Sequence, residues 1–241
     1  MRSETCAMHR PWHSSHSLLQ SRLLRVIPLF ATAGMGILAQ SKPDCSLEKP
    51  EAVWRIDLNA CRPEAISSAD RNKAVRLLPT AGSVLQLDIR ERSKLEAVAQ
   101  VLRVHGRDNV YEVRVITVPQ AWTGLHARAV LLISHPALTL LHIEELQAIA
   151  AHEIGHEYVW KPYLDAKARK DTARIRELEL VCDVIAIRTL VKMGLSPKLL
   201  QTATEKIFWY NRERFGMALN QSEYPSLRER QQLVNNHLFP R

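Results

Sequence analysis

The segment His152-Glu153-Ile154-Gly155-His156 carries the pattern H-E-x-x-H. On a helix, residues i and i+4 share a face, so two imidazoles at that spacing converge on one metal ion. Glu153 lies about 100° round the helix from His152, within reach of a metal-bound water without ligating the ion. A zinc ion that keeps one position open for water takes a third protein ligand. The residues after His156 read EYVWKP and offer no third histidine. A carboxylate on a later helix is the other solution, and Glu177-Leu178-Glu179-Leu180-Val181-Cys182-Asp183 supplies it. Glu179 and Asp183 are an i, i+4 pair among Leu178, Leu180, Val181, Val184, Ile185 and Ile187. Two acids aimed at a core need a cation or hydrogen-bond donors there. The expected set is His152, His156 and Glu179 on one zinc ion per chain, with Asp183 accepting the other ring N–H of a ligand histidine. Two plainer readings stand beside it. Glu179 and Asp183 could pair at the surface with Arg176 or Arg188, or Cys182 could add a fourth protein ligand and close the site.

The elements that must position these residues follow from periodicity. A helix is expected over 143–160, stopping near Pro162. A second runs over 165–193 to Gly194, a natural C-cap position, and a third starts at Ser196-Pro197 and continues to about 215. A last short helix covers 225–237. Upstream, residues 83–89 alternate like a strand, and 92–104 place Leu95, Val98, Ala99 and Leu102 on one helical stripe. Residues 110–118 and 127–134 read as strands, the second reached through a Thr123-Gly124 turn. A small sheet followed by helices is an α+β pattern. His105, before a glycine turn, is expected at the surface. Trp160, Trp209 and Tyr210 are expected in the core.

Length, composition and charge narrow the partners. A chain of 241 residues with 46% hydrophobic and 24% charged residues has globular composition, and four cysteines without C-x-x-C spacing exclude a zinc ribbon. The net charge of +8 would by itself suggest nucleic acid. Residues 1–41 carry four arginines and one acid, Glu4, so the rest of the chain holds a surplus of only five, without a block of like charges. No nucleic-acid partner is expected. The basic start, the apolar residues 26–39 and the small residues Ala39 and Ser41 predict a signal peptide over 1–41. The protein is then exported, periplasmic or secreted, and meets a membrane only if that segment is retained. Residues 42–80 read as an irregular extension with one helix, and 81–241 as the main domain. In an oxidising compartment Cys45 and Cys61 are expected to pair, leaving Cys182 as a buried thiol.

The order AIAAHEIGH, ELELVCD, GLSPKLL, YPSLRER resembles the gluzincin metallopeptidases of the HtpX and CAAX-prenyl-protease type over about residues 92–237. That resemblance implies a mostly helical zincin-like domain and a zinc endopeptidase acting on a protein or peptide substrate. Glu153 would be the general base. Tyr224, where the family has a histidine, or else His126, would stabilise the oxyanion, and Arg230 would pair with a carboxylate of the site. The chain departs from the family in Cys182, usually alanine, in residues 120–127, which lack the usual Asn-Ala and Gly-Gly, and in having no run of membrane helices. Strand 127–134 is expected to offer the edge to which an extended substrate adds. The alternative is a non-catalytic exported binding or chaperone-like module stapled by zinc.

Overall fold

Two helices are buried on nearly every side, and they carry the candidate ligands. In the structure, a computed structural model, they are α5 (Ile143–Tyr158) and α7 (Thr172–Lys192). Residues 45, 47, 49–55, 57–78, 86–216 and 224–238 are described; the expected signal peptide lies outside them. The other elements are α1 (Pro50–Val53), α2 (Ser68–Leu77), α3 (Ile89–Val104), β1 (Glu112–Ile116), β2 (Thr123–His126), β3 (Val130–Ser134), α4 (His135–Leu140), α6 (Trp160–Arg169), α8 (Lys198–Phe215) and α9 (Leu227–Leu238). The architecture is α+β, with a small sheet ahead of α5. No helix among the described residues is long and apolar enough to cross a membrane.

The sheet has the order β1-β3-β2, with β1 parallel and β2 antiparallel to β3. Two expectations change here. Thr123 and Gly124 belong to a strand rather than a turn, and the central strand β3 starts only at Val130. The chain reverses at Ala127 and Arg128, both with positive φ (48° and 55°), where tight hairpins usually place Asn or Gly. Arg128 holds the turn by donating to Glu157 (3.1 Å) and to the Glu64 carbonyl. The signal for the reversal was therefore missing from the local sequence.

The strand expected over 83–89 does not form over 86–88, and Ile89 opens α3; residues 83–85 lie outside the described residues. Asp88 accepts from the Glu91 N–H (2.7 Å) while Glu91 accepts from the Asp88 N–H (3.0 Å), a reciprocal cap that starts a helix. The long helix expected over 165–193 is two, α6 and α7, divided at Lys170 in the left-handed region (φ 55°). Pro162 sits in the first turn of α6, where its missing N–H leaves no intrahelical bond unmade. Residues 45–78 form two helices, α1 and α2, and are tied to the rest. Cys45 and Cys61 form a disulfide (Cα–Cα 5.3 Å), Val53 packs into one cluster with Ile175, Leu178 and Val181, and Arg188 donates to the Val53 carbonyl. His105 is buried, not exposed, between the Tyr158 hydroxyl and the Thr189 hydroxyl, each at 2.9 Å. Trp209 is 47% exposed and lies outside the core.

Candidate metal centre

Gly155 sets how closely α5 and α7 approach. A Cβ built there would stand 2.9 Å from the Cys182 Cα and 3.1 Å from its carbonyl oxygen, so only a hydrogen fits. This contact lies between His152 and His156 on one helix and between Glu179 and Asp183 on the other. Across it, His152 Nε2 is 3.2 Å from Glu179 Oε2, and His156 Nε2 is 3.8 Å from Glu179 Oε1. One ligand atom from each of the three residues falls within 4.8 Å of the others. Donors held about 2.05 Å from a tetrahedral zinc ion stand about 3.3 Å apart, so the His152–Glu179 spacing already matches, while His156 would have to close by about 0.5 Å.

The backs of both rings are engaged, which leaves Nε2 of each as the ligand atom. His152 Nδ1–H donates to Asp183 Oδ1 at 2.8 Å, and His156 Nδ1 faces the Cys182 thiol at 3.5 Å. The thiol therefore lies behind His156 and outside the ligand group. Arg230 reaches in from α9, donates to the same Asp183 oxygen, and lies 3.9 Å from Glu179 Oε2. The Tyr163 hydroxyl donates to Glu179 Oε1 at 2.9 Å, and its ring meets that of His156 edge-on. The surface reading of the two acids is overturned. Glu179 and Asp183 are 2% and 0% exposed, while Arg176 pairs with Glu229 and Arg188 with a carbonyl.

Electrostatics follow from this packing. Burial alone would lower the pKa of His152, but hydrogen bonds to Asp183 and Glu179 carry it up to about 10. Burial would likewise raise Glu179, yet the bond from His152 and the charges of His156 and Arg230 bring it down to about 2. His156 is shifted down by its own burial. Burial, and then the charges of Glu179 and Asp183, push the Cys182 thiol well up, so it stays protonated. Without a metal ion, protonated His152 and Arg230 together supply the positive charge that two buried acids demand; a metal ion would replace the His152 proton.

His152, Glu153, His156 and Glu179 all line one cleft of about 410 Å³. Glu153 is held there by the Thr123 hydroxyl, which donates to its Oε1 at 2.8 Å. Tyr224 and Arg230 also line the cleft. His126 does not: it stands on the opposite face of β2 from Thr123 and Leu125, next to the turn, with its Nε2 buried and without a hydrogen-bond partner. The oxyanion role considered for it has no support in this geometry. The edge that meets the cleft also differs from expectation. β3 lies in the middle of the sheet, and β2, with β3 as its only neighbour among the described residues, runs along the cleft.

No model of a known protein family, no curated protein and no solved structure matches the chain. The centre therefore rests on its own geometry: a buried His152/His156/Glu179 group that could hold a metal ion.

Three contributors escaped the sequence reading. Thr123 sat in a segment read as a turn. Tyr163 follows a proline and reaches Glu179 only because α6 resumes beyond it. Glu157, fully lodged between Arg107 (2.9 Å) and Arg128, fixes the end of α5 after His156. Charge and spacing alone single out none of them.

Proposed function

We propose that the protein is an exported zinc endopeptidase of zincin-like fold, related to the HtpX and CAAX-prenyl-protease type that the ordered motifs resemble. One observation carries the reading: three convergent ligand atoms open onto a cleft in which Glu153 stands beside them, positioned by Thr123. A site held by three protein ligands leaves room for water, as catalytic zinc sites do. When bound, zinc would make water acidic enough to attack near neutral pH and would polarise the scissile carbonyl. With Oε1 held by Thr123, Glu153 keeps Oε2 for the proton of the attacking water and returns it to the departing amine. Tyr224 supplies a donor on the cleft wall for the negative charge that develops on the carbonyl oxygen, and Arg230 anchors the site by its pair with Asp183. Asp183 keeps the proton of His152 on Nδ1, so Nε2 faces the metal.

The substrate in this reading is a protein or peptide in extended form, laid along the edge of β2 away from β3. Export and the Cys45–Cys61 disulfide are consistent with each other, since such bonds persist outside the cytosol. Nucleic acid is not a partner in this reading. The non-catalytic, zinc-stapled module would want a fourth protein ligand, and Cys182 is turned to the back of His156. The test is cleavage of an unfolded protein such as casein by zinc-loaded protein. Wild type should cleave, Glu153→Gln should bind zinc and not cleave, and equal activity of the two would refute the assignment.

A further inference from the structure

The edge of β2 away from β3, which no other strand among the described residues pairs, is closed at one end by a side chain from another helix. The register sets which backbone groups face out. The Ser134 N–H donates to the Trp122 carbonyl at 2.8 Å, so Trp122, Gly124 and His126 turn their peptide groups toward β3. By the alternation of an antiparallel pair, Ala121, Thr123 and Leu125 turn theirs to the open side. Thr123 and Leu125 line the cleft there. Ala121 is different. Its N–H donates to Asn211 Oδ1 (2.9 Å) and its carbonyl accepts from Asn211 Nδ2 (2.8 Å). The amide of Asn211, on α8, thus makes the two bonds that the next residue of an added strand would make. Ala121 is 1% exposed beneath it.

We infer that Asn211 is a specificity-determining stop: it limits main-chain recognition of a bound peptide to the steps at Thr123 and Leu125. The inference rests on the peptidase reading. A peptide that pairs at those two positions and continues past Thr123 meets an amide already in place, and gains nothing by extending further. Removing the amide exposes one more N–H and one more carbonyl in line with the edge. Two backbone hydrogen bonds at ordinary net strength correspond to about a thirtyfold gain in binding.

The test uses the zinc-loaded full chain and a ladder of peptides around one cleavage site, lengthened residue by residue at either end. The readout is the ratio of kcat/KM for successive lengths, taken within each variant so that a general loss of activity cancels. In wild type the ratio should fall to about one beyond the second paired step at one end. In Asn211→Ala the next step at that end should add about thirtyfold. Asn211→Asp, which keeps the shape and the acceptor for the Ala121 N–H but not the donor, should add a smaller gain and serves if the alanine variant does not fold. A wild-type ladder that keeps rising, or a plateau unmoved in both variants, overturns the stop. If wild type cleaves no peptide of any length, and labelled peptides do not bind Glu153→Gln, the peptidase reading falls and this inference with it.

Discussion

Replacing Gly155 by alanine tests whether the close approach of α5 and α7 is what builds the centre. The new methyl carbon would lie 2.9 Å from the Cys182 Cα, 3.0 Å from its Cβ and 3.1 Å from its carbonyl oxygen. Carbon atoms in contact sit about 3.5–4.0 Å apart, so the helices must separate locally by about 0.6 Å. Overpacking of this kind costs about 1–3 kcal/mol, and alanine in a helix interior returns about 0.5–1 kcal/mol relative to glycine. The balance is a loss of about 1–2 kcal/mol, a fall of about 0.5–1 M in the urea midpoint of the metal-free protein. Zinc binding should suffer more. Its donors tolerate displacements of about 0.2 Å, and the separation falls between the histidines on α5 and Glu179 on α7. Competition with a chelator should show zinc affinity lower by about tenfold or more. Adding Cys182→Ala should not restore it, because the backbone atoms of residue 182 remain in place. A Gly155→Ala protein as stable as wild type, with unchanged zinc affinity, would refute the reasoning.

Other outcomes follow from the same contacts. Asp183→Asn leaves His152 Nδ1 without its carboxylate and Arg230 without the nearer of its two acids, and should weaken zinc binding by about 10–100-fold in the same assay. Burial holds the pKa of His105 down at about 3 against 6.5 when unfolded. Between those values the unfolded chain takes up a proton that the folded chain refuses. Stability should therefore fall as pH drops below about 6.5, by about 1.4 kcal/mol per unit, and urea titrations of His105→Gln should show a shallower slope. Cys45→Ala with Cys61→Ala opens a loop of sequence separation 16 and should cost about 3 kcal/mol in the same titrations. Thr123→Val should lower kcat with little change in KM, and Thr123→Ser should recover most of it, since the hydroxyl on Glu153 is what the valine lacks.

The candidate ligand residues were legible because helical spacing is a local property. His152 and His156 share a face by arithmetic, and acids at 179 and 183 on an apolar helix advertise a buried partner. The disulfide was legible because Cys45 and Cys61 lie only sixteen residues apart, while Cys182 sits on an apolar helix far along the chain. What escaped was set by distant chain. The hairpin turn at Ala127-Arg128 is held by Glu157 and Glu64, so its residues carry no turn signature. That concealed β2, and with it Thr123 and the true edge of the sheet. His105 looked like a surface residue beside a glycine, yet Tyr158 and Thr189 supply partners from sequence positions far away. His126 drew attention as a histidine near the site, and the two-residue period of β2 turned it to the other face.

The central claim is that His152, His156 and Glu179 hold one zinc ion in an open site. The most direct measurement is zinc content per chain after dialysis, for wild type, Glu153→Gln and Glu179→Ala side by side. The account predicts one zinc in wild type and in Glu153→Gln, and little or none in Glu179→Ala. No zinc in wild type, or zinc retained in full by Glu179→Ala, would contradict it.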